Sequence, residues 1–420
     1  MSGPTLAEVV GLSVTGDRPV PAVESVLERR WHGQDRSTPG RPYERPKNIE
    51  RVLTLDPRWQ GRIRYNEFAR RPEIDGAEIT DGKEAELMLW LDEVYRLDVP
   101  ISKVATVVNV VAERHRYHPV RDYLDALQWD GVERVPDVLC RYYGGKDHPL
   151  YRRISACWMV SSVARIYDPG CKVDSVVILA GNQGVGKSTG LRAMMPDPGW
   201  FSDAALDLDH KDALMKIHAG IWWYELAELA DVGKKDVEKV KSFLSESSDQ
   251  FRPPYGRRVV TYARSVVFSG STNSPRFLKD PTGSRRFWPV ETGGIDIEAI
   301  KRDRDQLWAE SVVRFRRGDQ WYLSRADGRT LQALSDEFQE VDSWEPLIAQ
   351  FVEDLRGVKF STSQLFDGPL QLPPDRRHRG HDNRIATILK AMGCQKAGRG
   401  PRAFGSPRLW VLPMESAIDE

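Results

Sequence analysis

The sequence has little cysteine, no long apolar run and no excess of charge of either sign. Its 420 residues hold 4 cysteines, Cys140, Cys157, Cys171 and Cys394, widely spaced and without a Cys-x-x-Cys pair beside a histidine. That spacing argues against a disulfide framework and a structural zinc site, and for a reducing compartment. No apolar stretch approaches the roughly 18 residues of a membrane-spanning helix. The start, MSGPTLAEVVGLSVTGDRP, lacks the basic-then-apolar layout of a secretory signal. The expectation is therefore a soluble cytoplasmic protein with no membrane partner. Lys plus Arg and Asp plus Glu both number 61, so no global charge marks a polyanion partner.

Charge is instead segregated along the chain. Residues 203–249 are mainly acidic. Residues 252–286 carry Arg252, Arg257, Arg258, Arg264, Arg276, Lys279, Arg285 and Arg286 against Asp280 alone, and residues 371–408 are similarly basic. A neutral chain with two basic patches can still bind a polyanion locally.

The most informative stretch is Val176–Thr189, VVILAGNQGVGKST. Val176 to Ala180 read as a short buried strand running into Gly181, Asn182, Gln183, Gly184, Val185, Gly186, Lys187, Ser188 and Thr189, which fits the phosphate-loop pattern GxxxxGK[ST]. The glycines let successive backbone N–H groups turn toward phosphate oxygens, and the helix beginning near Lys187 adds its positive end. Lys187 would bridge the outer phosphates of ATP, and the Ser188 hydroxyl would hold Mg²⁺. Such chemistry also needs a carboxylate on a neighbouring strand. Ile221–Tyr224 reads as that strand, ending in Glu225, with Glu228 in reserve. A further strand, Tyr262–Phe268, leads into Ser271, Thr272 and Asn273, where an amide would sense the γ-phosphate. Arg285 and Arg286 follow, and either suits a finger that completes a neighbouring subunit's site.

Around this centre the chain divides into five segments. Residues 1–47, rich in Pro, Gly and Arg, read as a flexible arm with one short helix near Val23–Trp31 and with order beginning at Asn48. Residues 48–150 read as a mainly helical domain, with helices over Lys83–Arg96 and Ser102–Arg116, the second N-capped by Ser102. Residues 151–300 alternate strand and helix, which makes them α/β with a parallel sheet. Residues 301–341, with a helix over Gln306–Arg317, read as a lid or linker. In 342–420, three helices and a terminal ribbon give a winged-helix pattern. Asn383–Met392, carrying Arg384 and Lys390, is then the recognition helix, with Lys396, Arg399 and Arg402 on the wing.

The ordered motifs YNEF (65–68), YHPVRDYLDALQWDG (117–131), PGCKVDSVVILAGNQGVGKST (169–189), WWYELAEL (222–229), VEKVKSFLSESSDQFRPPYGRR (237–258), STN (271–273) and FLKDPTGSRRFWPV (277–290) resemble the virulence-associated protein E-like proteins of phages and mobile elements. These are related to superfamily 3 helicases. The resemblance covers roughly residues 50 to 300. It implies an AAA+-like ATPase core acting as a ring, usually a hexamer, on DNA. It also implies that Lys241–Arg258 projects a hairpin into the ring channel, with Tyr255, Arg257 and Arg258 gripping single-stranded DNA. One position departs from the pattern: the superfamily generally has two consecutive acidic residues at the second strand, and here Tyr224 takes the place of the first. No primase domain is evident ahead of YNEF, so priming would come from another protein. The expected function is an ATP-driven DNA helicase or translocase in the replication of a phage, prophage or mobile element. The alternative is an ATP-controlled regulatory or interference factor that binds DNA or a replication protein without unwinding. A small-molecule kinase is disfavoured, because no acceptor pocket is evident.

Overall fold

The structure is a computed structural model, and it describes residues 18–30, 40–208, 212–227, 234–252, 258–274, 285–338, 343–399 and 408–413. The chain separates into two compact units, Met1–Glu337 and Phe338–Glu420.

The first unit opens with α1 (Pro21–Val26) and α2 (Pro46–Leu55). Each has proline in its first turn, where the missing N–H has no intrahelical partner to lose. Then come β1 (Ile63–Asn66), β2 (Arg71–Ile74), β3 (Ala77–Glu78), α3 (Asp81–Tyr95), α4 (Ile101–Arg114) and β4 (Arg116–Tyr117). The strands form a sheet in the order β3-β2-β1-β4. Two expectations change here. Order begins before Asn48, because Val23 and Leu27 are buried in the same core as Ile49 and Val52. Asn48 itself ties the arm down, with its Nδ2 donating to the carbonyls of Glu28 and Tyr43, both at 2.9 Å. Ser102 is not the cap of α4: the helix starts one residue earlier, with Pro100 in the cap position and no side-chain cap bond.

Next in the chain are α5 (Pro119–Ala126) and α6 (Pro149–Tyr167), followed by β5 (Val176–Ala180), α7 (Lys187–Ala193), β6 (Phe201–Ser202), α8 (Asp212–Ile217), β7 (Trp223–Ala227) and α9 (Lys234–Ser245). The unit closes with β8 (Ser248–Phe251), β9 (Val260–Ala263), β10 (Val267–Thr272), β11 (Phe287–Glu291), α10 (Ile297–Arg317) and α11 (Arg325–Glu337). Five strands make one sheet in the order β11-β5-β10-β7-β6, and every pairing in it is parallel. All of β5 is buried, as expected of a central strand covered on both faces. The core includes α6 and α10, where Trp158 stacks on Trp223 at 4.5 Å and Trp222 on Trp308 at 4.3 Å. The centre is thus α/β with a parallel sheet.

Element boundaries differ from the sequence reading at several places, among them the helix read as Asn383–Met392, which spans Arg379–Ala391. Glu225 does not end its strand: β7 runs to Ala227, and Glu225 is buried in register with Ser269. The stretch Tyr262–Phe268 is not one strand, since β9 pairs with β8 as an antiparallel hairpin while β10 joins the parallel sheet. The chain turns between them at Arg264, whose guanidinium is bound to buried Asp249. Helix α10 starts at Ile297 rather than Gln306, because Asp296 Oδ1 caps it by accepting from the Ala299 N–H at 2.9 Å.

His118 gives the first unit a pH-dependent joint. It caps α5, with Nδ1 accepting from the Arg121 N–H at 3.2 Å, and packs on Phe68. Burial, helped by the neighbouring Arg121 charge, pushes its pKa from the ordinary 6.5 down to about 4. Between those values the unfolded chain binds a proton that the folded chain does not. The stability owed to neutral His118 is therefore full above the ordinary value and is lost as pH falls toward the folded one, at about 1.4 kcal/mol per pH unit. His118→Asn keeps a cap acceptor and should flatten the dependence of Tm on pH in that window. Parallel curves for the two proteins would refute this.

The second unit holds α12 (Glu345–Asp354), β12 (Phe360–Ser361), α13 (Thr362–Asp367), α14 (Arg379–Ala391), β13 (Gln395–Arg399) and β14 (Arg408–Val411). Its antiparallel sheet runs β12-β14-β13 over a core of Ile348, Val352, Phe360, Leu365, Leu389 and Trp410. Ser361 and Gln364 form a reciprocal capping box at α13. Among the described residues no helix is long and apolar enough to cross a membrane, and all four cysteines are free.

Candidate active site

In an open parallel sheet, ligands bind in the crevice beyond the carboxyl ends of the strands. Here β5, β10 and β7 end side by side, with β10 in the middle. The loop after β5 turns at Gly184 (φ +86°) and Gly186 (φ +92°), a left-handed backbone that a side chain would strain. Gly181 is required for a different reason. A Cβ there would lie 2.6 Å from Thr292 Oγ1 and 2.8 Å from the Thr292 carbonyl. Asn182, Gln183 and Gly184 are exposed and Val185 is half-buried, while Ser188 and Thr189 lie exposed in the first turn of α7.

Lys187 is 8% exposed. Its ammonium donates to the carbonyls of Gly181 at 2.7 Å and Asn182 at 2.9 Å, and to Asn273 Oδ1 at 2.9 Å. Burial pushes its pKa down, and the Glu225 carboxylate pushes back. Ser188 Oγ donates to Glu225 Oε1 at 2.7 Å, and the Ser271 hydroxyl donates to the same oxygen. Glu225 is only 1% exposed, and its Oε2 has no hydrogen-bond partner among the described residues. Three strands thus bring a buried cation, a hydroxyl, a carboxylate and an amide together at one edge of the sheet.

Arg285 and Arg286 are not in this cluster. Phe287 pairs with Val176 at the start of β5, so both arginines precede the opposite edge of the sheet. Five strand residues, about 16 Å at the usual rise, separate that edge from Gly181. Arg286 Nε donates to Ser245 Oγ at 3.1 Å and lies 3.8 Å from Asp174, whereas Arg285 is exposed.

Of the residues expected to meet DNA, Arg258 is exposed just before β9. Tyr255, Arg257 and Arg402 lie outside the described residues, as does the reserve carboxylate Glu228. In the second unit Lys390, Lys396 and Arg399 are exposed, and Arg399 stands directly across from Arg408 in the β13–β14 ribbon. Like charges placed opposite one another are unfavourable unless an anion screens them. Arg384 is half-buried, lying 4.1 Å over the Trp344 ring and donating to Ser343 Oγ at 3.1 Å, so part of its role is to hold α14 in place.

Sequence reasoning misses Thr292 and Tyr143, and it names Ser271 only as part of the polar cluster, without its bond to Glu225. The signal for Ser271 is strand alternation: Ser269 and Ser271 share one face of β10. Thr292 and Tyr143 belong to no motif, because long-range packing brings them to the loop.

The fold and site define an α/β domain with a lysine–serine–glutamate–asparagine cluster at the carboxyl edge of a parallel sheet. The sequence profile of the Virulence-associated protein E-like domain matches residues 124–340, just over half of the chain, and the chain belongs to this family. The match starts and ends later than the span of the quoted motifs, and it takes in the whole cluster. Among solved structures, the apo structure of the NrS-1 C-terminal region (305–718) is similar at a TM-score of 0.45 and 11% identity, over 83% of this chain and 95% of that one. The A-form apo structure of the same region gives 0.41 and 12%, over 69% and 78%. No curated protein matches.

Proposed function

We propose that this chain is a magnesium-dependent ATP hydrolase of the AAA+ type, related to superfamily 3 helicases, that drives a DNA helicase or translocase in the replication of a phage, prophage or mobile element. The observation that carries this reading is the pair of contacts Lys187–Asn273 and Ser188–Glu225. They join the loop to the two strands that such chemistry needs, and Asn273 follows β10, the strand between β5 and β7. The loop N–H groups and Lys187 would take the outer phosphates of ATP in place of the neutral acceptors that hold the lysine now. Ser188 and Glu225 supply the hard oxygen donors that Mg²⁺ takes, and the ion would neutralise charge on those phosphates. Glu225 accepts the proton of the attacking water as its oxygen bonds to the γ-phosphorus. The bond to the β-phosphate oxygen then breaks, giving ADP and inorganic phosphate. The Asn273 amide orients that water.

Arg285 and Arg286 are too far from their own Lys187 to help, which favours a ring, hexameric by family resemblance, in which one of them reaches a neighbour's site. The β8–β9 hairpin, with Arg258 and the adjoining Tyr255 and Arg257, would hold single-stranded DNA in the channel. The C-terminal unit fits a winged-helix module that contacts DNA through Lys390 and Arg399, with α14 held by Arg384. A primase or other replication protein is the proposed partner. The test is ATP hydrolysis with and without single-stranded DNA, recorded with mass in solution, beside Lys187→Ala. An oligomer whose turnover rises with DNA and vanishes in Lys187→Ala is the expected result. A monomer that binds ATP and ignores DNA would overturn the motor and leave an ATP-controlled regulatory factor.

A further inference from the structure

Two buried polar atoms near the cluster lack a partner among the described residues: Glu225 Oε2 and the Tyr143 hydroxyl. They are complementary, an acceptor and a donor. Tyr143 is fully buried where the turn Val138–Tyr142 ends. On one side its ring meets α7, since a Cβ on Gly190 would lie 3.1 Å from Tyr143 Cε1. On the other side it packs on Trp158 at 5.8 Å, and Trp158 donates to Ser269 Oγ, on the residue in register with Glu225. The phenol is thus enclosed between the loop-bearing helix and the strands that carry Glu225 and its serine partner. Burial, and then the charge of Glu225, push its pKa up, so it stays protonated and able to donate.

A carboxylate has about four lone-pair sites. Oε1 already accepts from Ser188 and Ser271, while Oε2 accepts from nothing among the described residues. A carboxylate held by one oxygen is free to turn about its last bond, and a donor on the second oxygen would stop that turn. A buried hydroxyl without a partner costs roughly 1–3 kcal/mol, so such an atom is retained against a stability cost.

We propose that Tyr143 is a positioning residue for hydrolysis: in the nucleotide-bound state its O–H donates to Glu225 Oε2, fixing the carboxylate plane while the remaining lone pair of that oxygen faces the attacking water. This rests on the ATP hydrolase reading above. In the structure the two atoms do not bond, so the proposal requires Glu225 to turn when nucleotide binds.

Tyr143→Phe removes the hydroxyl and little else. The variant should unfold at the native temperature or higher, because the hydroxyl it loses has no partner in the resting protein. It should bind ATP with native affinity, measured with a fluorescent analogue, and turn over about ten- to a hundredfold more slowly, the usual effect of removing a group that orients another. Native turnover in the variant beside an active native protein would overturn the proposal and leave the hydrolase reading standing. A lowered unfolding temperature would also overturn it, by showing that the hydroxyl already has a structural role. If the native protein hydrolyses no ATP, both readings fall together.

Discussion

Glu225→Gln should leave a folded protein that still binds ATP and hydrolyses it about a hundred- to ten-thousandfold more slowly, the range for losing a positioned general base. The substitution isolates charge from shape. Glutamine keeps a carbonyl oxygen in the place of Oε1, so the hydroxyls of Ser188 and Ser271 keep an acceptor. It loses the anion that can accept a proton, and with it the attraction for Mg²⁺. Removing a carboxylate that is 1% exposed also relieves a desolvation cost, so the unfolding temperature should stay level or rise. Single-turnover hydrolysis, beside binding of a fluorescent ATP analogue, separates chemistry from affinity. Near-native hydrolysis would remove Glu225 from the reaction and make Glu228, three residues on, the carboxylate to test.

What the sequence makes legible is local chemistry. Val176–Ala180 is uniformly apolar and short, and the glycines after it are needed where the chain takes positive φ, so strand, loop and helix follow from neighbours in sequence. The boundaries fail where a tertiary partner overrides polarity. A glutamate after four apolar residues reads as the end of a strand, but serines on α7 and β10 bond Glu225 Oε1 and let β7 continue past it. An arginine in an apolar run reads as part of one strand, but a buried aspartate captures Arg264 and separates β9 from β10. The proline-rich arm reads as flexible around one short helix, yet Val23 and Leu27 reach the core formed by α2 and α3. Tyr143 is illegible for the same reason, since its role depends on a glycine in α7 and a tryptophan in α6.

Arg264→Met should be the most destabilising of these changes, costing about 3–5 kcal/mol in urea unfolding, because it strands a buried charge. Asp249 is fully buried and accepts from Arg264 Nε and Nη2, both at 2.6 Å, and from His218 Nε2 at 2.9 Å. Burial alone would raise the aspartate's pKa, but these bonds outweigh it and hold it down to about 2. Burial favours neutral His218, which leaves the arginine as the compensating cation. The guanidinium also lies over Phe243 and bonds to that residue's carbonyl, so its loss frees the end of α9 as well. Adding Asp249→Asn should return part of the lost stability, because the double variant leaves no anion to desolvate. A cost below about 1 kcal/mol for Arg264→Met, or a further fall in the double variant, would show that the pair is not what holds this region. The site matters beyond stability. The Arg264 carbonyl accepts from Arg165 Nη1 at 3.0 Å and the Gly170 N–H at 2.9 Å, pinning the turn where the hairpin of Arg258 joins the strand that leads into Asn273. A hairpin tied at its base to β10 by a buried ion pair would, in the proposed hydrolase, link Asn273 to the segment proposed to hold DNA.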